Sequence, residues 1–219
     1  MKFKYDDVKK ETEEAGWTLI STSYKNLKDT LEFQCPEKHT VFTSFEKFKR
    51  NKKCPICESN PFKNVDLNPV KKTGKRILAL DQATKTSGWA IFDDDRLIKY
   101  GSWTSKGDDH DEKISLTKSF MASMINSWNP DVVTLEDIQL QNMTFMKEGR
   151  GGMAVTVYKT LAALQGVLIN YLYENHIEYN VVAPATWRNF SEIKGKSRTE
   201  KKINAQLKIK NLYDVSVTN

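Results

Sequence analysis

Apolar and polar positions along the chain fall into two blocks, separated by a polar stretch over 60–74 that carries Pro61, Pro69, Lys71 and Lys72. The first block predicts a charged helix over 5–15 that Gly16 stops, then a strand over 17–21. A helical pattern over 44–50 follows. The second block opens with Ile77-Leu-Ala-Leu80, an unbroken apolar run suited to a central strand covered on both faces. Turn residues over 84–88, the run Trp89-Ala-Ile-Phe92, the acidic turn Asp93-Asp-Asp95 and a third strand over 97–103 complete an antiparallel meander. Ile114, Leu116, Phe120, Met121, Met124, Ile125 and Trp128 give a helix one apolar face, which Asn129-Pro130 ends. A strand over 131–136, a long helix over 154–174, a strand over 179–183 and a short helix opened by Pro184 come next. The residues 212–217 read as a weak last strand or an extended segment. This pattern places one domain over 1–70 and another over 71–219.

Composition narrows the class. Hydrophobic residues at 39% and charged residues at 28% describe a globular chain, and no apolar run approaches the ~20 residues of a membrane span. The start, Met1-Lys-Phe-Lys-Tyr-Asp-Asp, lacks the apolar core of a signal peptide, so a cytoplasmic location and no membrane partner are expected. The net charge of +6 favours an anionic partner, and where the charge sits decides which.

All three cysteines fall in two close pairs, Cys35-Pro-Glu-Lys-His39 and Cys54-Pro-Ile-Cys57. Two tight turns, each presenting two soft ligands, are what tetrahedral zinc requires, so a closed structural site of Cys35, His39, Cys54 and Cys57 is expected. The alternative is ordinary buried cysteines and a surface histidine. The pattern resembles the zinc-ribbon modules that phage proteins attach to nucleases, except that its first pair is spaced Cys-x3-His. Between the pairs lie Lys47, Lys49, Arg50, Lys52 and Lys53, which suit either a solvated helix face or a phosphate contact.

Two short apolar strands end in an acid: Leu80-Asp81 and Leu135-Glu136. In one sheet such acids can meet above the strand ends and hold a hard divalent ion such as Mg²⁺. A lone acid in that position is often only a turn residue or helix cap; the paired occurrence points to a site. The loop over 139–152 carries Met143, Phe145, Met146, Lys147 and Arg150, and reads either as an irregular surface loop or as one that grips a phosphate or base step. From Lys194 the chain turns basic: Lys194, Lys196, Arg198, Lys201, Lys202, Lys208 and Lys210 face only Glu200, which favours a nucleic-acid backbone over a solvated face.

Taken together, Leu80-Asp81-Gln-Ala-Thr-Lys-Thr-Ser-Gly88, Leu135-Glu136, Leu161-Ala-Ala-Leu-Gln165-Gly166 and Val182-Ala-Pro184-Ala-Thr-Trp187-Arg188 resemble the RuvC-type Holliday-junction resolvases of the RNase H-like nuclease superfamily, in a phage-like version. The resemblance covers roughly residues 76–219. It implies an α/β fold, an RNase H-like mixed sheet flanked by helices with a small N-terminal zinc-ribbon domain. It also implies a metal-dependent endonuclease that cuts branched DNA as a homodimer, in the host cytoplasm for a phage-encoded protein. Asp81 would bridge Mg²⁺ (or Mn²⁺) ions and Glu136 would be the second ligand. The products would carry 5′-phosphate and 3′-hydroxyl ends. Lys147, Arg150, Lys194, Lys196, Arg198, Lys201 and Lys202 would hold DNA. The family closes its catalytic set with one or two acids opening a helix after a last strand; this chain stops at Thr218-Asn219, and Asp214 is a poor substitute. A shortened chain with impaired cutting is therefore expected; the alternative is a non-catalytic, structure-selective DNA-binding protein. The sugar-kinase and actin group shares the meander, but the chain is too short for its two domains.

Overall fold

The computed structural model describes residues 3–59, 65–107, 109–139 and 151–215. Helix α1 (Tyr5–Glu14) opens the chain, and Gly16 at φ 78° takes the left-handed conformation that ends it. Strands β1 (Thr18–Leu19), β2 (Thr30–Gln34) and β3 (Thr40–Ser44) form an antiparallel sheet, and the short helices α2 (Phe45–Arg50) and α3 (Pro55–Ser59) follow. Ser44 caps α2 by accepting a hydrogen bond from the Lys47 amide.

The second sheet has five strands in the order β6 (Arg96–Thr104), β5 (Thr86–Asp93), β4 (Arg76–Asp81), β7 (Val132–Glu136) and β8 (Glu178–Val182). The first three are the antiparallel meander, and β7 and β8 run parallel to β4. Helices α4 (His110–Trp128) and α5 (Gly151–Glu174) make the two parallel connections, and α6 (Pro184–Phe190) and α7 (Arg198–Tyr213) end the described chain. This is the RNase H-like arrangement, a mixed sheet flanked by helices.

Alternation along the strands sorts the two faces. Leu78, Leu80, Trp89, Ile91, Val133 and Leu135 are buried on one face, where Trp103 of β6 stacks on Phe120 of α4 at 4.9 Å. Ile77, Ala79 and Asp81 project to the other face, where Tyr213 of α7 meets Phe92 at 5.8 Å. At the end of β4 far from Asp81, the buried Arg76 makes a bidentate pair with buried Asp93, Nε to Oδ1 at 2.7 Å and Nη2 to Oδ2 at 2.9 Å. The same guanidinium donates to the Trp128 and Val70 carbonyls, and the Arg76 amide donates to Asp131 Oδ2 at 2.7 Å. One side chain therefore ties the central strand, the neighbouring hairpin and the end of α4 together.

Helix α4 is buried on more than the apolar face its periodicity shows, because the N-terminal sheet docks on its other side. Ser119 and Ser123 are buried, the Thr40 amide donates to Ser123 Oγ at 2.7 Å, and Asn126 Nδ2 donates to Glu32 Oε1 at 2.8 Å and to Thr40 Oγ1 at 3.1 Å. Tyr171 of α5 donates to the same Glu32 oxygen at 2.9 Å. The connecting stretch 65–74 has no helix or strand but is packed: Leu67 is buried, and Trp128 Nε1 donates to the Asp66 carbonyl at 2.8 Å.

Two expectations change. The weak strand over 212–217 is absent from the described residues: α7 runs on to Tyr213, and Asp214 takes a left-handed cap with its amide on the Lys210 carbonyl at 2.9 Å. Ser197 caps the helix start, and its last turn gains more by seating Tyr213 on Phe92 than an isolated edge strand would. The long helix begins at Gly151 rather than 154, inside the stretch read as a loop; the rest of that loop, with Met143, Phe145, Met146, Lys147 and Arg150, lies outside the described residues.

The buried pair makes a stability prediction. Replacing Asp93 by Ala leaves the Arg76 guanidinium buried without its counter-charge, and should cost about 3–5 kcal/mol of unfolding free energy in denaturant titrations. The Arg76 hydrogen bonds hold the Asp93 carboxyl far below the usual carboxylate range. A carboxyl whose folded-state pKa is depressed stabilises the fold above its unfolded value, so this contribution should be full above about pH 4 and fade as pH falls further. In Asp93→Ala that part of the acid sensitivity should disappear.

Candidate active site and metal centre

The β4–β7 ladder pairs Ala79 with Thr134 and Leu80 with Leu135, so Asp81 and Glu136 are the next residues on two hydrogen-bonded parallel strands. Neighbouring strands lie roughly 4.8 Å apart. Alternation puts both acids on the face opposite Leu80 and Leu135, flanked by Gly88 of β5 and Val182 of β8. The structure thus brings the two acids together, with like charges side by side.

Three local devices fix them. Gln82 reaches across from β4 and clasps the backbone of Glu136, donating through Nε2 to its carbonyl at 2.5 Å and accepting from its amide through Oε1 at 3.2 Å. Trp187 of α6 donates through Nε1 to Glu136 Oε2 at 3.0 Å. Ser87 closes the β4–β5 turn, its hydroxyl accepting from the Ala83 amide at 3.0 Å and donating to the Ala83 carbonyl at 3.1 Å. Beyond Glu136, the Ile138 amide donates to Gln165 Oε1 of α5 at 3.3 Å.

The electrostatics follow from this crowding. Asp81 is open to solvent on one side, yet desolvation by the surrounding protein pushes its carboxyl above the usual range. Glu136 is half-buried and is pushed up by desolvation and then by the charge of Asp81, against the opposing effects of the Trp187 hydrogen bond and the Arg188 charge. Both groups would be more easily ionised beside a cation, and an oxygen-only pair of this kind suits a hard ion such as Mg²⁺ or Mn²⁺. Among the described residues no third carboxylate, histidine or cysteine joins them. Asp214 sits at the cap of α7.

The second cluster is in the N-terminal module. The β2–β3 hairpin carries Cys35 and His39, with the Cys35 amide on the His39 carbonyl at 3.0 Å, and the start of α3 carries Cys54 and Cys57. One ligand atom from each of the four lies within 4.8 Å of all the others. Cys35 Sγ is 3.8 Å from Cys57 Sγ, and His39 Nδ1 is 3.2 Å from Cys57 Sγ and 3.9 Å from Cys54 Sγ. Two thiolates on tetrahedral zinc, each at ~2.3 Å, stand about 3.8 Å apart, so the donor set and spacing fit that ion. The hydrogen bond from Cys54 lowers Cys35 to about 4, while Cys54 is pushed up by that shared bond and Cys57 by desolvation. A site that gathers three thiols and works against the ionisation of two of them is one a dication would relieve.

The basic residues divide. On α2 and after it, Lys49 and Lys52 reach Glu11 at 3.1 and 4.0 Å, Arg50 pairs with Glu46 at 2.5 Å, and Lys53 with Glu58 at 3.7 Å; Lys49 also lies over the Phe3 ring at 4.2 Å. That face is partly compensated within the module: three acids meet four of its cations, and Lys47 pairs with no acid among the described residues. Lys194, Lys196, Lys201 and Lys202 are exposed on the turn before α7 and on its first turns, and among the described residues their ammonium groups have no carboxylate partner. Arg198 is the first residue of α7, and Lys208 pairs with Glu192 at 3.4 Å. Cations at a helix start oppose its dipole, so helix stability does not explain them.

Gln82, Trp187 and Ser87 were not singled out as site residues from the sequence, although each lies in or beside a motif that was. A polar residue directly after an apolar strand end, as Gln82 is, carries a readable signal. Trp187 gives none beyond its place in the Val182–Arg188 motif.

No protein-family model matches the chain, and no curated protein sequence matches it. Among solved structures it is similar to Thermus thermophilus RuvC in complex with a Holliday junction substrate, with a TM-score of 0.47 and 10% identity over 66% of this chain and 83% of that one. It is also similar to Thermus thermophilus RuvC alone, with a TM-score of 0.44 and 11% identity over 66% of this chain and 84% of that one. A third similarity is to the yeast mitochondrial Holliday junction resolvase Ydc2, with a TM-score of 0.36 and 14% identity over 62% of each chain.

Proposed function

We propose that the chain is a metal-dependent endonuclease acting on branched DNA, with Asp81 and Glu136 as the residues that would hold Mg²⁺ or Mn²⁺. The observation that carries this reading is the acid pair itself: two desolvated carboxylates side by side on one sheet face, a costly arrangement unless a cation is bound there. Such an ion supplies positive charge to a phosphodiester and to the water that attacks it. The chain's own residues supply orientation. Trp187 holds Glu136 Oε2 in a hydrogen bond, and Gln82 fixes the Glu136 backbone against sliding along the ladder. Phosphate contacts are assigned to Lys194, Lys196, Lys201 and Lys202, which are exposed, and, from the sequence, to Arg198, Lys147 and Arg150 as well.

The absence of a third acid from the described neighbourhood favours a second reading, a structure-selective DNA-binding protein that does not cut. Cleavage and binding of a four-way junction, beside duplex DNA of the same sequence, separate the two. On the endonuclease reading, Mg²⁺ supports junction cleavage, and Asp81→Asn reduces it at least about a hundredfold while leaving junction affinity within about twofold. Junction binding with no cleavage in Mg²⁺ or Mn²⁺ would establish the second reading instead.

The Cys35, His39, Cys54 and Cys57 cluster is proposed as structural zinc, and residues 1–70 as the module it holds. Elemental analysis should find one zinc per chain. Cys54→Ala should release the metal and unfold the β1–β3 sheet, seen as lost amide protection from exchange. Full protection without metal would refute the assignment.

A further inference from the structure

Phe190, at the end of α6, is 91% exposed, the most exposed large apolar side chain among the described residues. Its surroundings are not loose. The Ser191 amide bonds to the Trp187 carbonyl at 2.9 Å, the Glu192 amide to the Asn189 carbonyl at 3.0 Å, and the Ile193 amide to the Arg188 carbonyl at 2.9 Å. The turn that follows is stapled to α7 by Asn204 Nδ2 on the Lys194 carbonyl at 2.7 Å and by the Lys208–Glu192 pair at 3.4 Å. A closed, hydrogen-bonded turn thus holds a ring that contributes nothing to the core.

The neighbours of that ring specify what it could meet. Two residues before it, Arg188 lies over the Trp187 indole at 5.1 Å, and four and six residues after it come Lys194 and Lys196, exposed and with no carboxylate partner among the described residues. Trp187, one turn back on the same helix, is bonded to Glu136. An aliphatic partner surface would not call for cations close before and after the ring in sequence, whereas a nucleobase with its own phosphates would: every base has a π-face, and the adjoining backbone is anionic. A base inside a duplex has both faces covered, so the ring can take only one that is already unstacked, as at a strand crossing.

We infer that Phe190 is a stacking platform for an unstacked nucleobase at the branch, with Arg188, Lys194 and Lys196 holding the flanking phosphates, and that α6 thereby sets the distance between that base and the acid pair. This rests on the branched-DNA reading above and adds to it a contact that no backbone-only binding would make. Base stacking on an aromatic ring changes affinity by at least about fivefold, and phosphate contacts alone do not distinguish branched from linear DNA.

The test uses the full chain carrying Asp81→Asn, so that bound DNA stays intact, with 2-aminopurine placed in turn at each position beside the crossing of a four-way junction. One position should change fluorescence on binding. Phe190→Ala should lose that change and at least about fivefold in junction affinity while duplex affinity stays within twofold; Phe190→Trp should keep both, and Phe190→Leu should restore neither. Junction affinity and fluorescence unchanged in Phe190→Ala would overturn the inference and leave the branched-DNA reading standing. Full rescue by Leu, or a change in sedimentation instead of fluorescence, would identify an apolar protein contact and overturn it as well. Failure of the Asp81→Asn chain to prefer the junction over duplex would remove the branched-DNA reading and this inference with it.

Discussion

Two carboxylates of like charge held one strand apart is the constraint around which the sheet is arranged. The parallel ladder leaves Asp81 and Glu136 no alternative: once Leu80 pairs with Leu135 and both leucines turn toward the helices, the next residue of each strand must emerge on the opposite face beside the other. Slipping the register by one residue would bury an acid and expose a leucine. The hydrophobic face therefore fixes the geometry of the polar one, and the energetic penalty of crowding the acids is borne by the apolar burial beneath them. Gln82 adds a second register pin at the site itself, joining the two strands where the backbone ladder ends.

Helix α4 carries a comparable role on the other side of the sheet. Its apolar positions face Leu78, Trp103 and their neighbours, while Ser119, Ser123 and Asn126 turn toward the N-terminal module. Polar contacts at such an interface are worth having only if every buried group is satisfied. Here the Thr40 amide, Ser123, Asn126, Glu32 and Tyr171 satisfy one another, although burial still raises the Glu32 carboxyl. Thr40 directly follows His39, so the hairpin that gathers half of the Cys/His cluster is also the one plugged into α4. The N-terminal module is therefore built into the body of the molecule and not hung from it by a free tether.

Much of this was legible in the residues. The unbroken run before Asp81, the acid repeated at Glu136, and the confinement of every cysteine to two pairs each reflect a local rule, and local rules survive in one dimension. What stayed hidden were contacts between distant positions. Nothing near Trp187 announces that its indole reaches an acid fifty-one residues earlier, and nothing in the basic run of α2 shows that Glu11 pairs with Lys49 and Lys52. Over its described part, 212–215, the strand reading failed for a related reason: Leu212-Tyr-Asp-Val has strand-like composition, but the preceding helix continues to Tyr213, whose ring packs on Phe92. Propensity gave way to a tertiary contact.

The claim at the centre is that Asp81 and Glu136 form one cation site. Binding of Mn²⁺ to the zinc-loaded protein, followed through the free-ion paramagnetic resonance signal, tests it without reference to DNA. The account predicts binding that weakens at least about tenfold in Asp81→Asn and equally in Glu136→Gln; undiminished Mn²⁺ binding in either variant would contradict it.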